Sequence, residues 1–108
     1  MKNLFLLRHA KSSWDNAALA DFDRPLSKRG ISNAILLSEH IQKHNITFDL
    51  VLSSPSERTQ STLDLVLSSL DHFPTTTSKE SIYHASPFSL TQLIKEQDDA
   101  INNLLIIG

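Results

Sequence analysis

The chain has 108 residues, of which 40% are hydrophobic and 20% are charged, and its formal net charge is −2. This length and composition are typical of one small domain with its own core, which we expect to span residues 1–108 as a monomer. The near-zero net charge gives no general attraction to nucleic acid or to a membrane surface, so we expect neither as a partner. Without cysteine, the chain can form neither a disulfide nor a thiolate metal site.

The first predicted element is a strand over residues 2–7. Its continuous apolar run predicts that the strand is buried on both faces. It starts directly after Met1, so we expect no signal peptide, and we expect a cytoplasmic protein. Residues 11–25 are mostly polar and predict a long loop, of a length that often carries function. Ser27 is a suitable N-cap for a helix that ends near His44. Gly30 in its first turn predicts a close approach of another backbone segment.

A second buried strand is predicted over residues 49–53. Ser54 as N-cap, Pro55 at the first helical position and Glu57 at the third then give a strong helix-start signal. That helix is predicted to run to about Leu70. The remaining predicted elements are a short strand over 75–79, a helix over 87–96 and a buried strand over 103–107. Because strands alternate with helices, we predict an α/β fold with a mostly parallel sheet and helices on both faces.

Ionisable side chains follow two of these predicted strands directly. Arg8 and His9 come after the first strand, and Arg58 lies in the first turn of the helix after the second. The carboxyl ends of parallel strands meet at one edge of a sheet, where ligands bind. Guanidinium groups and a helix N-terminus favour a phosphoryl group there, and a histidine among them can act as nucleophile or base. The alternative is that each residue merely meets solvent at the end of its element.

The order of these motifs resembles a known family. Leu-Leu-Arg-His-Ala-Lys-Ser-Ser-Trp at residues 6–14 resembles the opening signature of the histidine phosphatase (phosphoglycerate mutase-like) superfamily. The resemblance continues in residues 23–30, in residues 51–55 with Arg58 and Thr62, and in residues 82–86. The last of these stretches is similar to the branch of SixA-type phosphohistidine phosphatases. The resemblance implies a three-layer α/β/α sandwich.

The resemblance also implies roles for individual residues. His9 would be the catalytic nucleophile and would take the phosphoryl group as a phosphohistidine. Arg8 and Arg58 would bind the phosphate oxygens, with Ser12 beside them at the pocket mouth. Glu80 matches the family position that protonates the leaving group. We expect no metal ion and no cofactor, because no cluster of ligands has a convincing spacing and the arginines supply the positive charge.

The favoured function is therefore hydrolysis of a phosphoryl group through phospho-His9, with a phosphohistidine protein as the substrate. A phosphatase or phosphomutase for a small metabolite is one alternative, because the phosphate pocket is shared and specificity lies in loops. A non-catalytic phosphate-binding or interaction module is another. The family carries a second pocket histidine in a Gly-His pattern after its last central strand, whereas the sequence given stops at Gly108. We accordingly expect the C-terminal part of the family domain to be absent from residues 1–108.

Overall fold

A four-stranded parallel sheet lies at the centre of the computed structural model, which describes residues 3–108. Its strands are β1 (Asn3–Leu7), β2 (Leu50–Ser53), β3 (Thr75–Ser78) and β4 (Asn103–Ile107), in the order β1-β4-β2-β3. The helices are α1 (Lys28–Lys43), α2 (Glu57–Leu67) and α3 (Pro87–Lys95), with two 3-10 turns at Asp21–Asp23 and Glu80–Ile82. β4 pairs in parallel with both β1 and β2, so the last strand in sequence lies inside the sheet.

Helices cover both faces of the sheet, as predicted. On one face α2 packs against the sheet, and α1 packs against α2. The buried residues of this layer are Val51, Leu63, Leu67, Leu105 and Ile107. On the other face α3 contributes to a second cluster, whose buried residues are Leu52, Ile82, Leu93, Leu104 and Ile106. The predicted three-layer α/β/α sandwich with a mostly parallel sheet is therefore confirmed.

Two local predictions are wrong. β1 is not buried on both faces, because it is an edge strand that pairs only with β4 within residues 3–108, and Leu6 is 66% exposed. Ser54 is not the N-cap of α2, which begins at Glu57 after Ser56. The amide of Ser54 donates to the Ile107 carbonyl at 3.0 Å, so strand pairing continues through the predicted cap and delays the helix.

The start of α1 agrees with its prediction and places the loop beside it. The Ser27 hydroxyl accepts a hydrogen bond from the Gly30 amide at 3.0 Å, which is the N-cap bond. A Cβ on residue 30 would lie 2.2 Å from the Lys11 carbonyl oxygen, so the predicted close backbone approach is present. The chain that follows β1 is thereby held against the first turn of α1. Within residues 3–108 no helix is both long and apolar enough to span a bilayer.

Candidate active site

A cavity of about 610 Å³ opens at the carboxyl ends of the strands. Its polar lining includes Arg8 and His9 after β1, Ser54 after β2, Arg58 in α2, and Tyr83 and His84 after the second 3-10 turn. These residues lie far apart in sequence and meet only because the parallel strands end at the same edge of the sheet. The cavity is therefore the candidate active site.

His9 is held in one protonation form by its two ring contacts. Its Nδ1 lies 2.8 Å from the Ala10 carbonyl oxygen, and its Nε2 lies 3.1 Å from Nε of Arg58. A carbonyl only accepts hydrogen bonds and a guanidinium only donates them, so Nδ1 carries the proton and Nε2 keeps its lone pair. Partial burial lowers the pKa of His9, and the charges of Arg58, Arg8 and Arg24 lower it further. The ring is therefore neutral at pH 7, as a nucleophile must be.

Arg58 is the buried cation of the site, with 6% of its surface exposed. Besides its bond to His9, its Nη1 donates to the Asp21 carbonyl at 2.6 Å and its Nη2 donates to Asp21 Oδ2 at 2.9 Å. The Thr62 hydroxyl donates to the Arg58 carbonyl at 2.7 Å and accepts from the Ala10 amide at 3.0 Å. Thr62 thus ties the first turn of α2 to the segment that carries His9.

Asp21 is a member of the site that sequence reasoning missed. Its Oδ2 accepts from the Tyr83 hydroxyl at 2.6 Å as well as from Arg58, and its Oδ1 accepts from Arg24 Nη1 at 3.2 Å. The hydrogen bonds from Tyr83 and then Arg58 hold the pKa of Asp21 far below its usual range. The same carboxylate raises the pKa of Tyr83. The one available signal was that Asp21 lies in the long loop after His9.

Arg24 is a buried side chain that binds several residues of the long loop after His9. It is 6% exposed, and its Nε donates to the Ser13 carbonyl at 3.2 Å. Its Nη2 donates to the Ser12 hydroxyl at 2.6 Å, and its Cζ lies 3.1 Å from the ring centroid of Trp14. The contacts with the buried Arg24 side chain therefore hold the loop that carries Asp21 in position.

The structure brings together three of the five residues predicted to act at the site. Arg8 is exposed at the rim of the cavity, and His9 and Arg58 are in contact inside it. Ser12 bonds to Arg24 and lies outside the cavity lining. Glu80 begins the second 3-10 turn, is exposed and also lies outside the lining. The roles assigned to Ser12 and Glu80 stay predictions.

Metal ligands are scarce in this arrangement. Among residues 3–108, no group of three or more His, Cys, Asp or Glu side chains is placed to hold one metal ion. The positive charge of the cavity lining comes instead from Arg8 and Arg58. A guanidinium offers a planar fork of donors that matches the oxygens of a phosphoryl group.

Solved structures resemble the chain closely. A candidate phosphohistidine phosphatase SixA from Agrobacterium tumefaciens is 26% identical, with a TM-score of 0.89 over 97% of this chain and 67% of that chain. The protein histidine phosphatase SixA complexed with tungstate matches with a TM-score of 0.82 at 21% identity, over 97% of this chain and 67% of its own. The alpha-ribazole phosphatase of Shigella flexneri matches with a TM-score of 0.68 at 23% identity, over 97% and 72%. The latter two likenesses show the fold alone.

Sequence comparison gives one curated relative and one family. An uncharacterized chloroplast protein of Arabidopsis thaliana is 53% identical over 38 residues, which are 35% of this chain and 17% of that protein. The match thus spans only about a sixth of the curated relative's length. The sequence model of the histidine phosphatase superfamily (branch 1) matches residues 4–80. Since that match covers most of the chain and the fold agrees with a SixA structure, the chain belongs to the histidine phosphatase superfamily.

Proposed function

We propose that this chain carries the nucleophile and phosphate-binding groups of a phosphatase that works through a phosphohistidine on His9. The observation that carries the proposal is the state of His9. Its Nε2 carries the lone pair of the neutral ring, accepts from Nε of Arg58 at 3.1 Å and belongs to a ring whose pKa is lowered by burial. A neutral imidazole beside two guanidinium groups is suited to attack phosphorus.

The first chemical step transfers the phosphoryl group to His9. The bond between Nε2 and phosphorus forms while the bond from phosphorus to the leaving group breaks. Arg58 must turn its Nε–H away from Nε2 for this step, and the same N–H can then bind a phosphoryl oxygen. Nη1 and Nη2 each carry a second N–H that Asp21 does not use, and these N–H groups can also donate to phosphoryl oxygens. Arg8 at the rim supplies the second guanidinium.

Hydrolysis of phospho-His9 completes the cycle. Water attacks the phosphorus, the bond to Nε2 breaks, and the products are inorganic phosphate and free His9. In the transition state the phosphoryl group is only loosely bonded to the attacking and leaving atoms, and its charge is spread over its three outer oxygens. Hydrogen-bond donors held in fixed positions therefore matter more than covalent assistance. Arg8 and Arg58 supply such donors, and we propose that no metal ion takes part.

A phosphohistidine in a partner protein is the substrate that we favour. The cavity mouth is open and its rim is exposed at Arg8 and His84, so a side chain on another protein can reach His9. The likeness to SixA structures supports the same choice. A small phosphorylated metabolite is the second candidate, favoured by the likeness to an alpha-ribazole phosphatase.

Trapping the phosphoenzyme tests this function. The protein is mixed with labelled phosphoramidate, and we expect an acid-labile label that is absent from the His9→Ala variant. His40→Ala is the matched control, because His40 is an exposed histidine on α1 and should leave labelling unchanged. Equal labelling of the His9→Ala variant would contradict the assignment. Phosphate binding without any label in the unaltered protein would favour the non-catalytic alternative instead.

A further inference from the structure

His84 lies at the mouth of the cavity. It has no role in the transfer of the phosphoryl group to His9 or in the hydrolysis of phospho-His9 as proposed so far. Its side chain is 68% exposed, and its Nε2 lies 3.3 Å from Asp21 Oδ2. Its ring is stacked at a tilt on Tyr83, with 4.2 Å between the ring centroids. Its φ is 53°, in the left-handed region that few residues other than glycine adopt. Such backbone conformations cluster at functional sites, where the surroundings hold a side chain in place.

We propose that His84 is a proton-transfer residue of this site, which protonates the leaving group and then takes a proton from the attacking water. This inference rests on the proposed function of His9. His84 lines the same cavity as His9, and its exposed side chain is open to solvent. Imidazole is the ordinary side chain that changes charge between about pH 5 and 8, so it can both give and take a proton in one cycle.

Asp21 supplies the charge that this role needs. Its Oδ2 faces Nε2 of His84 and also accepts from Tyr83 and Arg58, while Arg24 holds its Oδ1. These donors keep Asp21 ionised, so a carboxylate is present whenever the His84 ring is protonated. The contact engages Nε2, which leaves Nδ1 to exchange a proton with the substrate. A histidine oriented by a carboxylate is the usual arrangement for general acid–base work.

His84 is better placed for this role than Glu80. Glu80 is exposed and lies outside the cavity lining, whereas His84 is part of that lining. A proton donor must come within hydrogen-bond reach of the atom that it protonates, so position decides before pKa does. The resemblance therefore assigns the proton transfer to Glu80, whereas the position in the cavity favours His84. The two assignments predict opposite effects of substituting each residue.

The protons balance over the cycle. In the first step the bond from His9 Nε2 to phosphorus forms, the bond from phosphorus to the leaving oxygen breaks, and the proton on His84 Nδ1 passes to that oxygen. In the second step water adds to phosphorus, the bond to Nε2 breaks, and a proton from the water returns to His84. With a phosphate ester as the substrate, the net reaction consumes one ester and one water and leaves both histidines as they began.

The test compares two substrates in the His84→Asn variant. Asparagine tolerates the left-handed backbone but cannot ionise, so it keeps the turn and removes the proton. With an alkyl phosphate such as phosphoserine, we expect kcat/KM to fall by about 10²-fold or more, the usual scale for a lost general acid. With 4-nitrophenyl phosphate, whose leaving group needs no proton, we expect little change.

Two further variants and the trapped phosphoenzyme separate the outcomes. His72→Asn, at an exposed histidine that lines a different pocket, is the matched control and should leave both rates unchanged. If Glu80→Gln loses kcat/KM with phosphoserine alone and His84→Asn does not, the proton belongs to Glu80 and the proposal is overturned. Equal losses on both substrates would mean a structural role and also overturn it. Should His84→Asn fail to fold, added imidazole should restore phosphoserine turnover to His84→Gly, and no such rescue would refute the proposal.

The His9 label distinguishes this proposal from the function on which it rests. In the His84→Asn variant the acid-labile label on His9 should still form from 4-nitrophenyl phosphate. If the label forms but kcat/KM with phosphoserine is unchanged, only the role of His84 is refuted. If the unaltered protein never labels His9, the proposed function itself fails, and the role of His84 fails with it.

Discussion

Replacing Gly30 with alanine tests the contact that joins the first turn of α1 to the chain leaving His9. An ideal Cβ at residue 30 would lie 2.2 Å from the Lys11 carbonyl oxygen and 3.0 Å from the Lys11 amide nitrogen. Ordinary van der Waals contact begins at 3.4 Å, and the opposing atoms are backbone atoms that no side-chain rotation can remove. The loop must therefore move away from α1.

The size of the effect follows from what that movement disturbs. The Lys11 carbonyl accepts from the Ser27 amide at 2.8 Å and from the Ser27 hydroxyl at 3.0 Å. Each bond contributes about 1 kcal/mol, and an overpacked contact adds about 1–3 kcal/mol of strain. Alanine in a helix is favoured over glycine by about 1 kcal/mol, which offsets part of this loss. We expect the free energy of unfolding to fall by about 2 kcal/mol or more.

Urea denaturation of both proteins measures this difference. Asn33→Ala is the control, because residue 33 is exposed in the middle of α1 and reports helix propensity alone. Gly30→Ala should be less stable than the unaltered protein, and kcat/KM should fall because Lys11 lies two residues from His9. If Gly30→Ala were as stable as the unaltered protein or more so, propensity would dominate and the argument from the backbone contact would be refuted.

The remaining predictions concern buried hydroxyls, pH and metals. Ser38→Ala should lower the free energy of unfolding by about 1–3 kcal/mol, because it leaves the Val66 carbonyl and the Ser69 amide without their buried partner; unchanged urea denaturation would contradict this. The acid limb of kcat/KM should have its midpoint below pH 6.5, since burial lowers the pKa of His9; a midpoint above 6.5 would contradict it. Asp21 has a lowered folded pKa, so the stability it contributes is present above its ordinary pKa of 3.8 and is lost as pH falls. Asp21→Asn should therefore reduce Tm at neutral pH, and the difference should shrink in acid. Activity should survive EDTA, and a loss restored by a divalent ion would show a metal-dependent mechanism.

Local signals in the sequence predicted most of the fold. Ser27 caps α1 because a serine hydroxyl can reach the amide three residues ahead, whatever the rest of the chain does. Gly30 was recognisable because glycine in a first helical turn costs stability unless something needs the space. Alternation of strands and helices was enough to predict parallel pairing. The first two inferences depend on neighbours within a few residues, and the third depends only on the order of the elements along the chain.

The predictions that failed depend on distant neighbours. Whether Leu6 is buried depends on what lies beside β1, which the composition of the strand cannot show. Ser54 is a suitable cap in isolation, but its amide donates to the Ile107 carbonyl. Ser54 therefore continues the strand pairing instead of capping α2. Asp21 meets Tyr83 across 62 residues of chain, so no spacing within the loop indicates that contact. Sequence reasoning therefore identified His9 and Arg58, which follow strands, and missed Asp21, which reaches Arg58 from a loop.

The carboxylate of Asp21 also limits where a phosphoryl group can bind. It lies 2.9 Å from Nη2 of Arg58, and the ionised carboxylate repels a second anion placed on that side of the guanidinium. The face of Arg58 that points toward His9 has no such charge, and Arg8 at the rim attracts an anion to the same space. If the proposed function holds, we expect the phosphoryl group to bind on the side of Arg58 that lies against Nε2, where attack is possible. We therefore propose that Asp21, although its negative charge opposes anion binding, improves the alignment of the reacting atoms.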